Sequence, residues 1–288
     1  MIRESRSAYP TLPVERACAL LGVSRHLYYR ALQAPAASVY PPPDTALPTA
    51  MERIVLEFPG YGYRRVTAQL RREGWTVNHK RVLHLMRTQG WLCRLHRRWI
   101  KTTQSAHGLR RYPNLIKRVV VERLNQVWVA DLTYIRLPQG FAYLATILDA
   151  YSRKAIGWHL SRHLDARLVL AALEQALQAR QPAPGFIHHS DQGVQYACGD
   201  YVSKLLAAGG QVSMAAKGCP RENAQAESFF RTLKVEEVYL QEYHDFAQAE
   251  AGLEYFIGAV YNQKRLHSAL DYVPPTEFEE NLLAAQRT

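Results

Sequence analysis

Three acids stand where an acid is locally unexpected or at the edge of an element: Asp131 in WVADLTYI, Asp191 in HHSDQGVQY and Glu227 in GCPRENAQAESFFRTLKVEEVY. Carboxylates carried in from separate elements can hold hard divalent ions such as Mg2+ or Mn2+. Two such ions about 3.5–4 Å apart activate an attacking oxygen and stabilise a leaving one in an in-line phosphoryl displacement. Spacing alone does not single out this triple, because 25 acids offer many others. Around the third acid, Asn223, Glu227, Arg231 and Lys234 recur at helical spacing on one face, while Ala226, Phe229, Phe230 and Leu233 fill the other. A face holding an acid and two cations suits a metal and a phosphate together. Its plainer reading is a solvated helix with an i,i+4 Glu–Arg pair. Asp149, in ILDAYSRK, opens a turn between strands and is expected to cap backbone. His188 and His189 are expected to pack the end of a strand.

The elements that must position these acids change period along the chain. From Asn125, Val127, Val129, Asp131, Thr133 and Ile135 alternate with Trp128, Ala130, Leu132 and Tyr134, which predicts a strand with an acid embedded in it. Residues 141–148 and 155–160 read as further strands, 165–179 as a helix, 186–189 as a strand followed at once by SDQG, which places Asp191 at its carboxyl end, 196–208 as a helix and 212–215 as a strand. The Gly218–Tyr239 segment reads as one amphipathic helix. Strands and helices in this order predict a mixed α/β sheet.

Upstream the pattern is helical and basic. Residues 14–21 and the segment RHLYYRALQ outline a helix-turn-helix, followed by a proline-rich linker. Residues 49–58, 64–73 and 79–89, punctuated by Gly74 and Gly90 and with Asn78 as an N-cap, outline a second. In its last helix Val82, Leu83 and Met86 turn inward while Lys80, Arg81, His84 and Arg87 face out, as expected of a helix lying in a major groove. Residues 100–112 read as an extended basic connector. The net charge is +11, yet residues 64–118 alone hold fifteen Lys and Arg against one acid, Glu73, a local +14 that leaves −3 elsewhere. A stretch so basic, interleaved with Trp75, Trp91, Trp99 and Tyr112, is the footprint of a nucleic-acid binder.

Cys18, Cys93, Cys198 and Cys219 form no Cys-x-x-Cys pair, which argues against a disulfide framework and a thiolate zinc site. No apolar run approaches bilayer length and the first ten residues lack a signal-peptide core, so a cytoplasmic protein is expected.

The segments around Asp131, Asp191 and Glu227 resemble the three motifs of insertion-sequence transposases of the retroviral-integrase type, including the 35 residues between the second and third acids. VERACALLGVSRHLYYR, YGYRRVTAQLRREGWTVNHKRVLHLMR and YNQKRLHSALDYVPPTEFE resemble its flanking segments, so the likeness covers nearly the whole chain. The resemblance implies an α/β, RNase H-like catalytic core preceded by all-α helix-turn-helix units. The corresponding boundaries are 1–40, a linker at 41–48, a basic helical unit and connector at 49–112, the core at 113–272 and a tail at 273–288. It implies Asp131, Asp191 and Glu227 as a DDE triad binding Mg2+, with Mn2+ as substitute, and water and then a 3′-hydroxyl as nucleophiles. Arg231 and Lys234 would bind phosphate, and Lys80, Arg81 and Arg87 would contact DNA. The implied partners are double-stranded DNA at element ends and target, further copies of the chain, and a protein from an upstream frame. Glu222 departs from the Asp that related proteins often carry before the Asn. The role of Tyr261, Asn262, Arg265 and His267 stays open. Alternatives are an RNase H-like nuclease, which needs no reader of DNA ends, and a catalytically silent DNA-binding regulator.

Overall fold

Apolar residues three and four apart draw residues 46–88 into three short helices, α1 (Ala46–Glu57), α2 (Tyr63–Arg72) and α3 (His79–Thr88). Val66 and Leu70 of α2 and Val82 and Met86 of α3 are buried, and Leu83 is half-buried. The Asn78 side chain caps α3 by accepting the Lys80 N–H at 2.8 Å. In this computed structural model the described residues are Val14, Glu15, Cys18, 45–93 and 110–285. The chain divides into two units, Met1–Thr49 and Ala50–Thr288. The first expected helix-turn-helix and most of the expected connector lie outside the described residues. Helix α1 begins inside the segment read as a linker. Pro48 sits in its first turn, where a missing N–H costs no helical bond.

The second unit continues into a mixed five-stranded sheet. Strands β1 (Val127–Leu137), β2 (Gly140–Asp149) and β3 (Ala155–Ser161) form an antiparallel meander. Helix α4 (Ala166–Arg180), capped by Asp165, leads to β4 (Ile187–Ser190), which pairs parallel with β1. Helices α5 (Val194–Ala197) and α6 (Gly199–Ala207) lead to β5 (Gln211–Met214), parallel to β4, giving the order β3-β2-β1-β4-β5. The single helix expected over 196–208 is thus two, broken at extended Cys198. A 3-10 turn (Pro220–Asn223), α7 (Ala224–Leu233) and a π turn (Lys234–Val238) replace the single helix expected over 218–239. Helix α8 (Phe246–Tyr255) runs on as a π segment to Lys264. Helix α9 (Pro275–Ala285) occupies the segment read as a tail, and its Glu279 is buried against Arg180 and Lys154, the latter at 3.0 Å.

Alternation along β1 gives each face its own core. Val127, Val129 and Ile135 pack with Phe229, Phe230 and Leu233 of α7 and with Leu253 and Phe256. Trp128 and Ala130 pack on the other face against Leu168, Leu173 and Ala176 of α4 and Tyr201 and Leu205 of α6. This is the RNase H-like arrangement, with α7 lying over the face to which Asp131 belongs by its period. All four cysteines are unpaired. Among the described residues no helix is long and apolar enough to cross a membrane.

Candidate active site

Strand pairing brings the first two acids together. Strands β1 and β4 run parallel with Val129 opposite His189, so two residues further on Asp131, in the middle of β1, comes level with Asp191, just past the carboxyl end of β4. The third acid arrives through a clamp. The Asn223 side chain, 5 % exposed, donates to the Ala130 carbonyl at 3.0 Å, fixing the start of α7 beside the residue that precedes Asp131. Glu227 follows one helical turn later, exposed to solvent. Asn223 therefore does not share the outer face of α7 with Glu227 and Arg231. It belongs to the 3-10 turn, whose tighter winding shifts its direction inward.

Each of these two acids is held by backbone. Asp131 Oδ1 accepts the Leu132 N–H at 2.9 Å, and Asp191 Oδ1 accepts the Gly193 N–H at 2.9 Å. Burial, then the charges of Asp191 and Glu227, push the Asp131 carboxyl up to about 8, against the opposing pull of the Leu132 N–H and Lys234. Burial raises Glu227 as well, and Arg231 counteracts it. Among the described residues no three His, Cys, Asp or Glu side chains close on a single point as they stand. Asp131 and Asp191 are half-buried neighbours, while Glu227 stands on the open side.

The basic residues read with this site separate. Arg231 is exposed. Lys234 is half-buried, its Nζ 4.7 Å from the centre of the Tyr134 ring; burial lowers its pKa and Asp131 raises it. Lys80, Arg81 and Arg87 are all exposed along α3. Asp149 is structural, as its position predicted: fully buried, it accepts the N–H groups of Asn125 at 2.7 Å, Tyr151 at 2.8 Å and Ser152 at 3.1 Å. His188 and His189 are also buried. His188 Nε2 and the Tyr201 hydroxyl share a 2.8 Å bond, and His189 Nδ1 and Ser213 Oγ another. Burial lowers His188 to about 3 and His189 to about 4. Glu222 accepts the Ala216 N–H at 2.7 Å and is lowered chiefly by that bond, so the longer acid ties the β5 exit to the turn before α7.

Sequence reasoning missed a buried ion pair behind the site. Arg265 donates to both Glu236 oxygens at 2.8 Å, joining the π turn after α7 to the chain after the second π segment. Leu266, the next residue, gives its N–H to the Tyr61 hydroxyl at 2.7 Å and accepts Arg65 Nε at 3.1 Å. Asn262 completes the β3 edge by bonding both backbone groups of Ala155 at 2.9 Å. The motif whose role stayed open therefore braces the core. Its available signal was an acid and an arginine at places where no helical period called for them.

Comparison with known proteins agrees with this architecture. Families described as Integrase core domain match residues 121–220 and 208–275, and one described as HTH-like domain matches residues 43–99. The Transposase for insertion sequence element IS904 of Lactococcus lactis subsp. lactis (strain IL1403) is 40% identical over 223 residues, 76% of this chain and 87% of that protein. Transposase InsF for insertion sequence IS3A of Escherichia coli (strain K12) is 36% identical over 225 residues, 78% of each chain. An Insertion element IS600 uncharacterized 31 kDa protein of Shigella sonnei is 34% identical over 272 residues, 91% of this chain and 97% of its own. Among solved structures, the catalytic core domain of BIV integrase aligns with a TM-score of 0.43 and 16% identity, covering 57% of this chain and 99% of its own.

Proposed function

The chain belongs to the insertion-sequence transposases of the IS3 family, and from that premise we propose that Asp131, Asp191 and Glu227 are the DDE triad with which it cuts and joins DNA at the ends of a mobile element. One observation carries the reading: Asp131, on the central strand, is level with Asp191, and burial together with the charges of both other acids holds its carboxyl up to about 8. A cluster of three carboxylates whose central member is held up by burial and like charge fits divalent cations, and its all-oxygen donors suit Mg2+ or Mn2+. Such ions, when bound, supply the charge that an attacking and a leaving oxygen need in phosphoryl transfer.

The protein's own groups orient that site. The Leu132 and Gly193 N–H groups fix one oxygen of Asp131 and of Asp191, and the Asn223 clamp sets the height of Glu227 above the sheet. Arg231 and Lys234 hold a phosphate of the cleaved strand. Lys80, Arg81 and Arg87 contact the duplex from α3, at a distance from the chemistry. Neither the nuclease nor the silent-regulator alternative is favoured, because relatives named as transposases match across both the helical unit and the core.

Asp131→Asn, Asp191→Asn and Glu227→Gln each remove a ligand charge with little change of shape. Each is expected to abolish strand transfer in Mg2+ and Mn2+ while DNA binding, followed by gel shift, stays within about threefold. Metal-dependent turnover by any one variant would remove that residue from the site.

A further inference from the structure

Away from the carboxylates, a cleft of about 570 Å³ opens between α2 and the turn before α9. Its walls combine three arginines, Arg64, Arg71 and Arg72, three rings, Tyr63, His79 and Tyr272, and one acid, Asp271. The guanidinium of Arg64 lies 4.9 Å from the centre of the Tyr63 ring, which in turn leans on His79 at 6.1 Å. Among the described residues no acid pairs with Arg64 or Arg71, whereas neighbouring Arg72 is committed to Glu277 at 2.6 Å. The opposite wall is a turn that two consecutive non-glycine residues enter with left-handed backbone, Asp271 at φ 52° and Tyr272 at φ 60°. Left-handed geometry is uncommon for an aromatic residue. Here it is held by the Tyr272 N–H donating to the His267 carbonyl at 2.9 Å and the Val273 N–H to Leu270 at 3.1 Å. The Tyr272 ring, half-buried, thereby faces the arginines of α2.

Each lining group recognises a different part of one ligand. Guanidinium groups take phosphate, aromatic faces take a base or sugar, and an exposed carboxylate accepts from an exocyclic amino group. A stacked duplex presents its bases edge-on inside its grooves and cannot offer a base face to such a cleft. An unstacked nucleotide can. We propose that this cleft holds a nucleotide drawn out of the stack of a DNA strand, its phosphate on Arg64 and Arg71 and its base between Tyr63 and Tyr272. The choice of a DNA strand as source rests on the transposase reading; the nucleotide chemistry does not. The site spans the helical unit and the catalytic core, so a strand held there is fixed relative to both.

The test is anisotropy of a labelled single-stranded tetranucleotide titrated with the full chain, wild type, Arg71→Ala and Tyr272→Asn, with free dCMP as competitor. Asparagine adopts left-handed backbone more readily than tyrosine, so Tyr272→Asn removes the ring and keeps the turn. An unchanged unfolding midpoint verifies that. Both variants are expected to weaken tetranucleotide binding at least about tenfold, with dCMP competing far more weakly than unlabelled tetranucleotide. Undiminished affinity in either folded variant overturns the proposal. Competition by dCMP as effective as by the tetranucleotide overturns the strand as source. The tetranucleotide titration reads no chemistry and strand transfer by Asp131→Asn does not read this cleft, so loss of the catalytic reading and loss of this site give different results.

Discussion

Arg265 has no water to solvate its charge: its side chain is 3 % exposed, that of Glu236 is 5 %, and their two 2.8 Å bonds take the place of hydration. Replacing one partner leaves the other charged and buried, which costs about 3–5 kcal/mol. Urea unfolding of Glu236→Gln and Arg265→Met should each show a loss of that size, and the double variant less than their sum. His267, edge-on to the Tyr261 ring at 4.9 Å, answers to pH. Burial, then Arg265, Arg65 and Arg153, lower its pKa to about 2. The unfolded chain holds this imidazole near 6.5, so on acidification protons enter the unfolded state first. Its contribution is complete above about pH 6.5 and is lost progressively toward the folded value, on the order of 2 kcal/mol by pH 5. Denaturant midpoints of wild type and His267→Gln should converge as pH falls from about 7.5 to 5, and parallel curves would refute the assignment.

Elements carry the next layer. Helix α4 lies so close to β3 that a Cβ at Gly157 would meet the Ala172 carbonyl oxygen at 2.3 Å. Because the obstacle is backbone, Gly157→Ala must push the helix from the sheet, and a loss of roughly 1–3 kcal/mol in thermal or chemical unfolding is expected. The strands were legible from alternation, and Asp131 from being an acid within one. Asn78 was legible as a cap, since capping is local chemistry, whereas Asp165, read as the first residue of its helix, proves to be the cap before it. Asn223 was misdirected because a helical wheel assumes one winding, and the chain changes from 3-10 to α to π within residues 220–238. The Glu236–Arg265 pair was invisible for a related reason: two π segments set its geometry, and periodicity does not announce them. Helix α9 did have a signal, Pro275 opening an amphipathic run, which the preceding proline and the chain's end disguised.

At the scale of the molecule, the helices that carry α3 are fastened to the catalytic fold rather than tethered to it. Tyr61 and Arg65 grip both backbone groups of Leu266, Lys264 reaches Glu57 at 3.3 Å, and a Cβ at Gly60 would strike Glu236 at 2.2 Å. Tyr61→Phe keeps the ring and strands the buried Leu266 N–H, so a loss of about 1–3 kcal/mol is expected. The same variant should lower the unfolding midpoint of α3 and of the sheet together, as read by site-specific hydrogen exchange. Separate transitions would show that the two parts are not one cooperative block.

The parallel pairing of β1 with β4 has a consequence in time. Asp131 emerges from the ribosome in a meander that local contacts can assemble, but Asp191 joins it only after the long crossover through α4 has closed, and Glu227 only when α7 docks. Such non-local contacts form late because loop closure must precede them. On the triad reading proposed above, a nascent chain therefore holds Asp131 without either of its partner acids for much of its synthesis, and the three cannot meet before α7 has been made.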